Sequence, residues 1–321
     1  MSLSRAIETG DLTLLPSRRD EDWRWTDLRG LIRHVPAVVE SAPSGKSPWQ
    51  SIAGSGEHFR FVAGQGSRAG KTDSVFAAGS RTLVLESYEP AEGPYLHAVE
   101  RTLVLEAGAH LERLVLADDG PEGVTVSAAH VILAPCASFT QTVLTTGAKR
   151  QRFETHITHP GQGASVRLDG AYLVGEKRHA DLTTVVTHTG EGGTTSQLTK
   201  GAVAGQGRGV FQGRIVVERG ADKTDAKMGH HALILDDRAE VDAKPELLIY
   251  ADDVACAHGN TVGQLDEQAI FYAMQRGIPL AEARAMLTEA FVGEVIDRIE
   301  HEGARDIARA WAAEKLRGLA G

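Results

Sequence analysis

The chain has 321 residues, room for one large domain or two to three smaller ones, and its 34 Lys and Arg against 43 Asp and Glu leave a net charge of −9. That balance argues against a basic face of the kind that grips nucleic acid, and 35 glycines with only 5% aromatic residues point to many tight turns. Two cysteines cannot make a disulfide framework, the first eight residues hold no apolar signal core, and no run nears the ~18 apolar residues of a membrane span, so a cytoplasmic protein with neither a membrane nor a nucleic-acid partner is expected.

Residues 1–57 read as an N-terminal helical region and linker. Asp20-Glu-Asp22 leads Trp23-Arg-Trp-Thr-Asp-Leu28, acidic residues opening a short amphipathic turn, and Ser41-Ala-Pro-Ser-Gly-Lys-Ser-Pro48 reads as an exposed loop.

Residues 58–265 differ in kind. Short β-branched and leucine runs such as Thr102-Leu-Val-Leu105, Val131-Ile-Leu133, Thr183-Thr-Val-Val-Thr187 and Leu247-Leu-Ile249 alternate with Gly, Asp and Pro, which predicts strands. Arg81-Thr-Leu-Val-Leu-Glu86 recurs letter for letter as Arg101-Thr-Leu-Val-Leu-Glu106. A small-residue corner also recurs at Gly108-Ala109, Cys136-Ala137, Gly163-Ala164, Gly192-Gly193 and Gly220-Ala221, with gaps of 27 to 29 residues. A near-constant period of strands and corners predicts a mainly β fold with a β-solenoid core, since an antiparallel sandwich gives no reason for a fixed repeat. Small residues suit corners where the backbone bends with positive φ.

Residues 266–321 read as a C-terminal helical domain. Asp266 is placed to cap a helix through Gln275, Gly277 to end it, and Pro279 to open a second with apolar positions Ala283, Met286, Leu287, Ala290, Phe291, Val295 and Ile299. A last helix covers Ala304 to Leu316. Helices placed here would cap the open end of the solenoid or present a docking face.

Several clusters bear on chemistry. Gly64-Gln-Gly-Ser-Arg-Ala-Gly-Lys-Thr72 is one residue out of step with a phosphate-binding loop and reads as a surface loop. His156 with His159, and His230 with His231, diverge on a strand and read as solvent-facing. The doublets Asp118-Asp119, Asp236-Asp237 and Asp252-Asp253 also diverge and read as turn or strand-end residues. Cys136, at a corner, reads as packing. Cys256 and His258 are the stronger case: strand period puts both on one face, and a thiolate beside an imidazole suits iron, zinc or sulfur chemistry. Two ligands do not close a four-coordinate site, so the pair would bind weakly or share a metal with a second chain, and on spacing alone a buried Cys beside a solvated His is the plainer reading. Gly259 would let another backbone approach.

The tracts Ala180-Asp-Leu-Thr-Thr-Val-Val-Thr-His188, Ser196-Gln-Leu-Thr-Lys-Gly201, Gly209-Val-Phe-Gln-Gly-Arg-Ile215, Ala251-Asp-Asp-Val-Ala-Cys-Ala-His-Gly259, Val262-Gly-Gln-Leu-Asp266 and Gln275-Arg-Gly-Ile278 follow in an order that resembles the SufB/SufD family of iron–sulfur cluster assembly scaffolds. Glu21-Asp-Trp-Arg-Trp-Thr26 resembles the N-terminal motif of the SufD branch, as does His258-Gly-Asn-Thr-Val-Gly263, although Asn260 departs from the more usual Ala. The resemblance implies a right-handed β-helix flanked by helical regions and a scaffold subunit that is not itself an enzyme. It also implies a SufB-like paralogue along the late strands, and a SufC-like ATPase on the C-terminal helices that hydrolyses the ATP. His258 matches the histidine implicated in cluster formation at the paralogue interface, and Cys256 matches the cysteine two positions before it; iron or a cluster would pass transiently, with no cofactor held tightly by the isolated chain. A homodimer in isolation is a further expectation. Two readings of other classes are a β-helical carbohydrate-active enzyme, which sits poorly with the scarce aromatics and divergent carboxylates, and a purely structural interaction solenoid.

Overall fold

The computed structural model describes residues 2–36, 56–62, 66–90 and 93–319. The Ser41–Pro48 loop and the start of the Gly64–Thr72 tract lie outside the described residues. Among the described residues fifteen strands form two wholly parallel sheets. The first contains β1 (Gly56–Val62), β3 (Arg81–Glu89), β5 (His110–Ala117), β7 (Ser138–Thr145), β9 (Ser165–Val174), β11 (Thr194–Val203), β13 (Thr224–Ile234) and β15 (Val254–Gly263). The second contains β2 (Gly66–Phe76), β4 (Tyr95–Leu105), β6 (Gly123–Leu133), β8 (Arg150–His159), β10 (His179–His188), β12 (Arg208–Val217) and β14 (Glu240–Ile249). Odd strands pair only with odd and even with even, so the chain winds through both sheets once per coil: a β-solenoid, as the period predicts.

The corners explain the period. Gly108, Cys136, Gly163, Gly192 and Gly220 all have positive φ, from +59° to +81°, the left-handed region that glycine enters without a Cβ penalty. The first four stack on the next coil through their N–H groups, as in Gly108 N–H to Pro135 O at 3.2 Å and Cys136 N–H to Gln162 O at 3.2 Å. Ala109, Ala137, Ala164 and Ala221 follow the bend and turn inward, fully buried.

Apolar side chains from both sheets fill the lumen, among them Leu103, Leu105, Val131, Phe139, Val186, Phe211 and Ile215. The lumen also holds charge: Glu86 accepts two hydrogen bonds from Arg113 at 2.7 Å each and one from Arg101, and Arg113 continues to Gln141. Burial alone would raise the Glu86 carboxyl, but the two guanidinia hold it below the usual range.

Among the described residues four α-helices flank the solenoid: α1 (Ser2–Thr9), α2 (Glu267–Gln275), α3 (Leu280–Ile296) and α4 (Glu302–Leu319). The last two lie along the outer wall of the first sheet, where Val292, Val295, Ile296, Trp311 and Leu316 cover Leu83, Leu85, Leu114, Leu116 and Leu173. They clad the side of the solenoid and leave its last coil uncovered. This corrects the meaning of the repeated hexapeptide. In the first copy Leu83 and Leu85 face outward under the helices; in the second Leu103 and Leu105 face the lumen. A wall buried on both faces accepts leucine on either side, so identical letters need not be equivalent positions.

Asp266 caps α2 by accepting from Gln268 N–H at 2.8 Å, and Gly277 ends it at φ +85°. The face of α3 differs from the expected one. Ala283, Thr288, Val292, Val295 and Ile296 are buried, while Met286 is exposed, because this helix carries apolar residues around much of its circumference.

Candidate functional site

β14 and β15 are the two strands of the last described coil, and among the described residues each has a neighbouring strand on one side only. Strand alternation continues the lumen rows into β15. Phe139, Val166, Thr195, Ala226 and Cys256 stand in one register line, and Gln141, Leu168, Gln197, Met228 and His258 in the next. Both candidate ligands therefore face the lumen, on one side of one strand and about 6.6 Å apart along it. Cys256 is half-buried against the apolar lumen, and burial pushes its thiol up. His258 is exposed although it faces inward, as are Ile249 at 41% and Val262 at 45%. Inward residues reach solvent only where the next coil is missing, so this end of the lumen is open.

Among the described residues no three His, Cys, Asp or Glu side chains come together as a metal site. The donor set at the open end is one thiol and one imidazole, with the Met228 thioether on the coil beneath, which leaves a tetrahedral iron half-furnished.

Behind the pair a buried hydrogen-bond line reaches back into the lumen. Tyr172 Oη lies 2.7 Å from His230 Nε2, and His230 Nδ1 lies 2.7 Å from Asn260 Oδ1. The Phe211 ring stacks on His230 at 4.7 Å. Gly201 and Gly209 make the line possible, since a Cβ on either would fall 2.1 and 2.3 Å from the Tyr172 ring. Burial pushes the His230 imidazole down to about 4, so it is neutral.

The Glu21–Thr26 tract straps the outer wall of the second sheet. Trp23 lies under the Arg152 guanidinium at 4.2 Å, and Asp22 O accepts from Arg152 at 2.6 Å. Thr26 Oγ1 donates to Asp181, Arg214 pairs with Asp22 at 2.9 Å, and Lys244 pairs with Glu21 at 2.8 Å. The strap thereby ties β8, β10 and β12 to the edge strand β14.

The remaining sequence candidates separate. Gly66–Thr72 is part of strand β2, neither a phosphate-binding loop nor a surface loop. His156 is on the outer wall beside Glu154, as expected, but His159 is buried in the lumen, stacked on His188 at 4.3 Å, and His230 is buried as well. Those two correct the solvent-facing expectation: on a solenoid one strand face is always lumen. Cys136 is corrected too, because its side chain is exposed at the bend rather than packed inside. Asp119 is buried, accepting from Tyr95, Thr125 and Gln151, a structural knot rather than a turn ornament.

Sequence reasoning did not mark Tyr172, whose signal is the pair of glycines opposite its ring, nor foresee that the apolar side chains of Phe271, Tyr272, Met274, Leu280 and Met286 on α2 and α3 stand exposed. Only Gln264, Leu265 and Asp266 separate β15 from α2, beside a cavity of about 310 Å³ also lined by Glu267, Arg284 and Thr288.

A family model described as the SUF system FeS cluster assembly, SufBD core domain, matches residues 61–291. The chain belongs to the SufBD family. Among SufBD relatives, SufD of Escherichia coli K12 is 32% identical over 244 residues, 75% of this chain and 57% of that protein. SufD of Bacillus subtilis 168 is 32% identical over 144 residues, 43% of this chain and 33% of that protein. The chloroplastic protein ABCI7 of Arabidopsis thaliana is 35% identical over 167 residues, 52% of this chain and 35% of that protein. The chain thus spans about half the length, or less, of the curated relatives it matches. The SufBD match runs through the solenoid into α3, so the open end and the exposed row on α2 both lie within it. The role described for that family is iron–sulfur cluster assembly.

Proposed function

We propose that this SufBD protein is a non-catalytic scaffold subunit of a SUF-type complex and that nascent clusters form where its open end meets a SufB-like paralogue. The observation that carries the reading is the uncovered last coil. Its lumen-facing residues are exposed, its two strands have free edges, and its inner face carries an incomplete ligand pair. A free strand edge is a template for another strand. A paralogue of like architecture would continue both sheets and add the missing donors, so that iron or cluster is cargo held between two chains. The same edge would let two copies of this chain pair in isolation.

A SufC-like ATPase would dock on α2 and α3, a reading supported by the exposed apolar side chains Phe271, Tyr272, Met274, Leu280 and Met286. Hydrolysis would occur in that partner, and movement of α2 would reach β15 through the three-residue link between them. In this scheme residues 58–265 are the platform, 266–321 the docking domain and 1–57 the strap and its connection, with the complex working in the cytoplasm. Among the described residues no helix is long and apolar enough to cross a membrane.

The test is anaerobic co-purification with SufB- and SufC-like proteins of the same source, followed by iron and sulfide analysis. A stable complex containing both elements supports the reading. A chain that captures neither partner would leave it without a foundation.

A further inference from the structure

Two adjacent histidines on β13 each meet a side chain of the edge strand, one on each face of the sheet. His230 and Asn260 are register partners, as are His231 and Thr261. His230 Nδ1 lies 2.7 Å from Asn260 Oδ1 on the lumen side, and His231 Nδ1 lies 2.7 Å from Thr261 Oγ1 on the outer side. We propose that His230 and His231 are positioning residues that grip β15 from both faces and hold Cys256 and His258 in register at the open end. The inference rests on the site reading given above.

The physical need for such a grip comes from the strand itself. Among the described residues β15 has one neighbouring strand, and from Ala257 to Gly263 every residue is exposed, so little apolar burial retains it. A parallel edge strand slipped by one residue would turn its inward set outward and remove both candidate ligands from the lumen. Side-chain bonds at two consecutive positions, on opposite faces, fit only one register.

The lumen half of the grip is anchored deeply. Tyr172 Oη donates to His230 Nε2, which leaves Nδ1 to carry the proton that Asn260 Oδ1 accepts. Phe211 lies parallel to the imidazole, with an interplanar angle of 1°, and fixes its plane. The edge strand is thereby tied through β13 to β9, two coils further in. The outer half depends on Thr261 alone.

The test is hydrogen–deuterium exchange on the full chain, read by peptide, with Asn260→Ala and Thr261→Val singly and together. Neither substitution empties the core, since both side chains are on the exposed strand. Each lost bond should raise exchange in 254–263 roughly two- to tenfold, and the double variant roughly five- to a hundredfold, with 165–203 unchanged. Asn260→Asp and Thr261→Ser keep the accepting oxygen and the hydroxyl, and should restore parent exchange. Unchanged exchange in 254–263, an equal rise in 165–203, or no rescue by the conservative pair would each overturn the proposal. Because no partner or cluster enters this measurement, it stands or falls separately from the scaffold reading.

Discussion

Gly201→Ala tests the line that runs from the lumen to the open end. An added Cβ would lie 2.1 Å from two carbons of the Tyr172 ring and 2.4 Å from its hydroxyl, so the ring must move. The ring is fully buried, with the Gly209 backbone close on its other approach, and has little room to yield. Overpacking of this kind costs about 1–3 kcal/mol. Displacing Tyr172 also strips the buried His230 Nε2 of its donor, a further cost of about 1–3 kcal/mol. The less flexible unfolded chain of the alanine variant returns about 0.5–1 kcal/mol. The net expectation is a loss of about 1–5 kcal/mol, seen in urea denaturation as a lower midpoint at unchanged slope, with faster exchange in 224–234 and 254–263. Gly259→Ala is the matched control: its Cβ meets nothing within 4 Å, so the isolated chain should change by less than about 0.5 kcal/mol. A Gly201→Ala protein as stable as its parent would refute the steric account of the glycines facing Tyr172.

Other consequences can be measured directly. Burial pushes His97 and His230 down to about 4, and His179 and His188 down to about 3, so the folded chain keeps these imidazoles neutral where the unfolded chain protonates them. Each then subtracts about 1.4 kcal/mol of stability per pH unit as the pH falls below 6.5. Asp169, which burial pushes up to about 7, works in the opposite sense and offsets one of the four. Denaturation midpoints should therefore drop steeply between pH 7.5 and 5, and equal midpoints would contradict the buried neutral histidines. Phe271→Ser with Met274→Ser should abolish capture of a SufC-like ATPase while changing stability by less than about 1 kcal/mol, since both side chains are exposed at 64% and 45%; retained binding would move the docking face elsewhere. Iodoacetamide should modify the exposed Cys136 well before Cys256, which is half-buried with its thiol pushed up; the reverse order would contradict the placement of both.

The coil period was legible because its cause is local: a left-handed bend selects Gly, and the following inward position selects Ala, once per coil. Cys136 obeyed the period but not its chemistry, since position in a repeat says that the backbone bends and not which way the side chain leaves. The shared face of Cys256 and His258 followed from strand alternation alone. That this face is the lumen required the register with Ala226 and Met228. His159 and His230 were misplaced for the same reason, as alternation separates two faces without naming the buried one. On α3, apolar residues at too many angles left several possible stripes, and the outer wall of the first sheet chose among them. The strap at Glu21–Thr26 was visible only as a turn, because its meaning lies in Arg152, Asp181 and Arg214, more than a hundred residues away.

The most direct test of the account is cluster formation by the reconstituted complex carrying His258→Ala, alone and with Cys256→Ser. Both side chains are at the open end, so the complex should still assemble. Iron and acid-labile sulfide per complex should fall at least severalfold. Parent-level cluster content in an intact complex would contradict the claim that the last coil supplies ligands to a site shared with a second chain.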